Sequence, residues 1–394
     1  MQQIDTASDQ IISAVRTLSN RPEGFIPLHE PFFNGNEKDY VVDCVESGWV
    51  SSVGQYVNLF EEKLAEYTGV KKAVVTVNGT AALHIALLLG GVEPGDEVLM
   101  PALSFIATAN AVAYCGAYPH FVDSEIKTLG PDMNGLKDYL RDIGERKFDG
   151  KLYNKHTGRR ISAFVPMHTF GHPVDIEEAR SICDEFSIAL IEDAAESLGS
   201  FYKGKHTGNW GDLSALSFNG NKVMTTGGGG AILTNNEKLG KLAKHITTTA
   251  KVPHAYEFYH DQLGYNYRMP NLNAALGCAQ LEQIDDFLSK KRKLAEAYKK
   301  QFANSTLFTF FEEVPDTKAN YWLNTIVLNK AHQGMRDRIL EETNAAGVMT
   351  RPVWQLLNRM PMYSSSPSMP LSGATELEKS IINIPSSVNL ALND

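Results

Sequence analysis

The sequence predicts an α/β protein built on a mostly parallel sheet. From residue 72 onward, short apolar runs alternate with helical stretches, the pattern of strands joined by helical crossovers. The runs are apolar throughout instead of alternating with polar residues, as strands covered on both faces are. Several of them end in polar clusters, which is where ligands bind in such sheets.

The elements follow in order. Ile11, Ile12, Val15 and Leu18 share one face of a short helix over 8–18, packed on the body or on a partner subunit. Helices are predicted over 37–47 and 56–67, separated by the stretch 48–54. A strand over 73–77 leads into a helix over 80–89 that stops at Gly90 and Gly91. A strand over 97–100 precedes a helix over 105–115. Strands follow over 120–122 and 161–167, then a helix over 175–186 and a strand over 188–191. Strands over 213–218 and 231–234 close the series. The segment 144–160 is basic, with Arg146, Lys147, Lys151, Lys155, Arg159 and Arg160. Residues 153–158 within it read as a hairpin turn. It is either solvated or in contact with a phosphate or a neighbouring subunit.

After about residue 280 the character changes. A charged helix is predicted over 281–303, strands over 307–311 and 321–328, a helix over 333–346 and a third strand over 348–353. The predicted organisation is an N-terminal helical extension (1–25), a large domain (26–280) and a smaller α+β domain (281–394).

Composition narrows the function. Of 394 residues, 43% are hydrophobic and 21% charged, which excludes general disorder. The formal net charge of -9 argues against a nucleic-acid-binding surface, while leaving room for a local anion pocket. Cys44, Cys115, Cys183 and Cys278 have no CxxC spacing, so they read as reduced thiols and not as a zinc site or disulfide framework. No apolar run approaches the ~18 residues of a membrane span. The first 25 residues lack the apolar stretch of a signal peptide and contain Asp5, Asp9 and Glu23. A cytoplasmic protein is expected, with no metal.

Four strand ends carry candidate chemistry. At Asn78-Gly79-Thr80-Ala81 a strand turns into a helix, whose N-terminal amides favour a phosphate. At Glu192-Asp193-Ala194-Ala195-Glu196 two acids follow an apolar strand directly; Asp193 alone could also be a helix cap. Ser217 and Phe218 precede Lys222, which lies on a loop before the glycine run 227–230. An amine of that kind can form a Schiff base, although a loop lysine in isolation is more simply solvated. The fourth segment, 265–271, holds Asn266 and Arg268. A nicotinamide dinucleotide site has no support, because no GxGxxG follows the first strand. Taken together, the set supplies what a pyridoxal-phosphate (PLP) site needs: a phosphate cup, an aromatic stacker in Phe105, an acid for the ring nitrogen and a lysine.

With those motifs the sequence resembles the DegT/DnrJ/EryC1/StrS family of sugar-nucleotide aminotransferases from about residue 26 to the C-terminus. The resemblance rests on Gly48-Trp49 with Gly54, on 78–83, on 192–196, on Ser217-Phe218 with Lys222 and Gly227 to Gly230, and on 264–268. The segments 26–31 and 49–54 look most like the branch named for the legionaminic-acid aminotransferase. The resemblance implies the aspartate aminotransferase-like fold type I, with a seven-stranded sheet. It implies PLP as cofactor, passing through its pyridoxamine form (PMP). Lys222 would hold PLP covalently and Asp193 would pair with its ring nitrogen. Phe105 would stack on the ring, and the Thr80 and Ala81 amides, with Ser217, would bind the phosphate, with Gly79 letting the backbone come close to the cofactor. Asn266 would complete that phosphate site from the other subunit of a homodimer. Glu196 stands where Gln or His is common near the ring hydroxyl.

The implied reaction moves an amino group from L-glutamate to C4 of a UDP-linked 4-keto-6-deoxy-N-acetylhexosamine, for bacterial surface glycans. A GDP-4-keto-6-deoxymannose or a 3-keto sugar is an alternative substrate, and a PLP-binding regulatory protein without turnover an alternative function. A related dehydratase would carry His in place of Lys222.

Overall fold

The computed structural model describes residues 6–391. All seven predicted strands form and join in one sheet. They are β1 (Lys72–Thr76), β2 (Glu97–Pro101), β3 (Tyr118–Val122), β4 (Ile161–Phe164), β5 (Ala189–Asp193), β6 (Leu213–Ser217) and β7 (Gly230–Thr234). Their spatial order is β1-β7-β6-β5-β4-β2-β3. Only β7 runs against its neighbours; the pairs from β6 through β3 are parallel.

Burial on both faces explains the continuous apolar runs. Val74 and Val75 are adjacent on β1 and point to opposite sides, yet both are buried. Val75 packs with Phe60 and Leu64 of α3 (Gln55–Thr68) and Ala274 of α9 (Asn271–Leu281). Val74 packs with Ala82 and Ala86 of α4 (Gly79–Leu89). Leu83, Ile85, Ala86 and Leu87 of α4 are all buried, so this helix is covered all round and its N-terminus is fixed at the end of β1.

A second, antiparallel sheet forms from β8 (Phe308–Phe310), β9 (Asn324–Leu328), β10 (Arg351–Pro352) and β11 (Ile381–Ile384), in the order β8-β9-β11-β10. Tyr298 and Phe302 of α10 (Ile284–Phe302) pack on it. So do Ile11 and Val15 of α1 (Ala7–Ser19). The N-terminal helix therefore packs on the C-terminal part of its own chain.

The structure differs from the sequence reading in several places. The helix expected over 281–303 forms as α10 and starts three residues later than expected, at Ile284, because the preceding helix α9 ends only at Leu281. The strand expected over 348–353 is only the two residues of β10, one of them Pro352, which has no amide to donate. Four elements were not expected: helices Met133–Ile143, Glu237–Thr247 and Ser372–Ser380, and β11. The first of them was legible, since Met133, Leu136, Leu140 and Ile143 recur at helical spacing and are buried together. The turn expected over 153–158 is present, with Tyr153 bridged to Arg160 and Gly158 at φ +73°. A second reversal precedes it, pairing Gly144–Arg146 with Leu152–Asn154. This basic hairpin is tied to the sheet by Asn154 Nδ2 and Thr157 Oγ1, which donate to the buried Glu97 at 2.9 and 2.6 Å. All four cysteines are free and buried. Among the described residues no helix is long and apolar enough to cross a membrane, and no cluster fit for a metal is present.

Candidate active site

An open cavity of about 420 Å3 lies beyond the carboxyl ends of the parallel strands. Gly79, Thr80, Phe105, Asp193, Glu196, Ser217 and Lys222, all expected from the sequence, line it.

The end of β1 and the start of α4 make one wall. Asn78 caps the helix: its Oδ1 accepts from Ala81 N at 2.8 Å. Ala81, expected to offer its amide to a phosphate, is therefore committed to the cap and does not line the cavity. The amides of Gly79 and Thr80 remain at the helix head, where orphan donors favour an anion. A Cβ on Gly79 would lie 2.9 Å from Ser217 Cβ, so glycine lets the helix start sit against the end of β6. That contact brings the Ser217 hydroxyl beside the helix amides.

The acids of the β5 end divide their work. Asp193 is buried; its Oδ2 accepts from Thr108 Oγ1 at 2.6 Å and its Oδ1 from Ala195 N at 3.2 Å. Each oxygen keeps a free lone-pair direction. Burial pushes its carboxyl above the ordinary carboxylate value, against the hydrogen bonds and the Lys222 charge. A cation placed against it would reverse that penalty, which suits a protonated ring nitrogen. Glu192 does no such work. It points to the interior and accepts from His168 Nε2, the amides of Gly208, Trp210 and Gly211, and Ser214 Oγ.

Lys222 Nζ lies 3.2 Å from Glu196 Oε1 and 3.9 Å from the centre of the Trp322 ring. The indole Nε1 of Trp322 donates to Asn221 O at 2.6 Å, which ties that aromatic wall to the lysine loop. Phe105 starts α5 (Ile106–Tyr114) and leaves 48% of its surface exposed at the cavity, 6.2 Å from the Trp354 ring. Asn266 is exposed and is not among the lining residues of its own chain.

Sequence reasoning missed Trp322, Trp354, Asn219, Asn221 and the Thr108 hydroxyl. The two tryptophans come from the C-terminal part of the chain. Their rarity was the one available signal, since the chain has only 4.

The residues present fit PLP. A hydroxyl and two helix-head amides converge for the phosphate, a buried acid with spare acceptor capacity waits for the ring nitrogen, and an amine reaches the space between them. Residues 32–394 match the DegT/DnrJ/EryC1/StrS aminotransferase family. The chain belongs to this family. It is a PLP-dependent sugar-nucleotide aminotransferase with the fold type I architecture. It is 40% identical over 340 residues to the GDP-perosamine synthase of Escherichia coli O157:H7, covering 86% of this chain and 87% of that one. It is 31% identical over 343 residues to a UDP-4-amino-4,6-dideoxy-N-acetyl-beta-L-altrosamine transaminase of Campylobacter jejuni, covering 86% and 87%. Among solved structures it is similar to Helicobacter pylori PseC, an aminotransferase in the biosynthesis of pseudoaminic acid. That likeness has a TM-score of 0.84 at 25% identity, over 93% of this chain and 95% of the other. When bound, PLP supplies an electrophilic carbon for an amine and an electron sink for the carbanion.

Proposed function

We propose that the enzyme transfers an amino group from L-glutamate to C4 of a UDP-linked 4-keto-6-deoxy-N-acetylhexosamine. The product is UDP-4-amino-4,6-dideoxy-N-acetylglucosamine, an early amino sugar for legionaminic-acid or bacillosamine-type glycans, made in the cytoplasm. The observation that carries the chemistry is the convergence of Lys222 and Asp193 on one cavity. Lys222 binds the cofactor and, once displaced by the donor, takes the α-proton of glutamate. It returns a proton to C4 of the sugar in the second half-reaction. Asp193 keeps the ring nitrogen protonated, since a nearby carboxylate favours the cation. Gly79, Thr80 and Ser217 hold the phosphate, and Phe105 covers the ring. The C4 assignment and the UDP group draw support from the segments 26–31 and 49–54 and from the Campylobacter relative. The relatives named GDP-perosamine synthase favour a second reading, in which the nucleotide is GDP.

Two half-reactions separate these readings. Excess glutamate should shift the visible band of the holoprotein, near ~400 nm, toward ~330 nm. Adding the UDP-linked 4-keto sugar should then restore it, while the GDP-linked 4-keto sugar should not. Restoration by the GDP sugar alone would establish the second reading, and no glutamate shift would reject glutamate as donor.

The homodimer is part of the same proposal, with Asn266 completing the phosphate site of a second copy. Lys222→Ala and Asn266→Ala homodimers should each be impaired. Mixing them after dissociation should recover activity, because one site of a mixed dimer then has both native residues. No recovery, with mixed dimers verified by mass, would place Asn266 outside the partner's site.

A further inference from the structure

Glu196 is held in place by a costly piece of backbone. Phe170 adopts φ +55° and ψ 17°, a left-handed conformation that bulky side chains avoid. That turn aims Phe170 N at Glu196 Oε2, at 2.9 Å. Asn320 Nδ2 clamps the same residue from behind, donating to Glu196 O at 2.8 Å. A Cβ on the next residue of the turn, Gly171, would fall 1.8 Å from Asn320 Oδ1, so turn and clamp are packed as one unit. The other carboxylate oxygen, Oε1, faces Lys222 Nζ at 3.2 Å. The side chains of Glu196 and Lys222 are 2% and 13% exposed, so solvent screens the pair little.

We propose that Glu196 is the charge partner of Lys222, stabilising the protonated form of that nitrogen and fixing its position both before and after the cofactor is attached. The inference rests on Lys222 being the cofactor lysine. It assigns Glu196 a task separate from contact with the ring hydroxyl. The other ionisable groups near the pair are Asp193, across the cavity, and His29, on the N-terminal segment. Lys291 lies behind, donating to Trp322 O at 3.2 Å and approaching His29 Nε2 at 3.1 Å. Trp322 itself faces the amine as a neutral ring. Burial pushes the Glu196 carboxyl up to about 7, against the Lys222 charge and the Phe170 amide.

Glu196→Gln tests this with little change of shape. The visible band of the holoprotein, followed against pH, reports the protonation of the cofactor-bearing nitrogen. Its midpoint should fall by about one pH unit or more when the carboxylate is removed, the usual scale for a close opposite charge. In cofactor-free protein, NMR of 13C-dimethylated lysines should show the Lys222 midpoint falling in the same direction. Glu196→Asp, which keeps the charge on a shorter arm, should give an intermediate midpoint and covers the case in which the Gln variant folds poorly. Unchanged midpoints in both forms would overturn the proposal. The cofactor-free measurement keeps the two readings apart. A shifted Lys222 midpoint with the cofactor attached to another residue would refute Lys222 as the cofactor lysine and leave its pairing with Glu196 standing.

Discussion

Lys222→Ala should reduce transamination by roughly 10^4-fold or more, the upper end of what one positioned proton-transfer group contributes. The loss is expected to be this large because, in the proposed reaction, one amine performs three tasks. It would bond the cofactor, take the proton from the donor and return one to the sugar. No other lysine or arginine of the described residues lines the cavity. Reduction of the native holoprotein with borohydride should fix the cofactor to the peptide carrying Lys222, and the variant should show neither that adduct nor the visible band. Substantial residual turnover, or an adduct at another lysine, would remove Lys222 from the chemistry. Thermal unfolding of the variant should move to lower temperature without preventing folding, because Glu196 loses its buried charge partner but keeps its bond from the Phe170 amide.

Glu192→Ala should have the opposite profile, with stability collapsing before activity can be read. Glu192 is fully buried and accepts five hydrogen bonds, from His168, three backbone amides and Ser214. His168 Nδ1 accepts from Val174 N at 3.3 Å, so its proton is on Nε2 and points at Glu192. Removing the carboxylate strands this whole ring of buried donors, and each one left unsatisfied costs about 1–3 kcal/mol. Glu192→Gln should lose less, but the NH2 of its amide would face donors in a shell that holds only donors. The measurement is the denaturant or thermal midpoint, and a variant as stable as the parent would contradict this role. The pH dependence follows the same logic. Burial acts to raise the Glu192 carboxyl, but its donors outweigh burial and hold it below the ordinary 4.5. A carboxylate with a lowered value contributes stability above the unfolded value, and that contribution is lost as pH falls below 4.5. The Gln variant should show a smaller loss of stability over that acid range.

Glu192 and Asp193 are neighbours in the sequence of β5, and their difference marks where sequence reading stops. Glu192 and Asp193 look alike as two acids after an apolar strand. The pleat sends adjacent side chains to opposite faces, and only the completed sheet decides which face meets the cavity and which meets the loop 208–211. The same limit applies to Ala81. A strand-to-helix turn with small residues was legible, but which amide the Asn78 side chain would consume depends on its rotamer in the folded turn.

The sequence by itself determined the sheet strands, because residues buried on both faces leave continuous apolar runs whatever their neighbours are. It also determined the cofactor chemistry, because Lys222, Asp193, Ser217 and the Gly79 turn each lie at a strand end, and strand ends of a parallel sheet gather at one edge. Tertiary structure decided what is assembled from distant segments. Trp322 and Trp354 reach the cavity from the C-terminal part of the chain. Phe170 and Asn320, 150 positions apart in the sequence, clamp Glu196 together. Helix α1 finds its packing surface near residues 294–390. Such contacts leave no local periodicity to read, since they depend on where separate elements come to rest against one another.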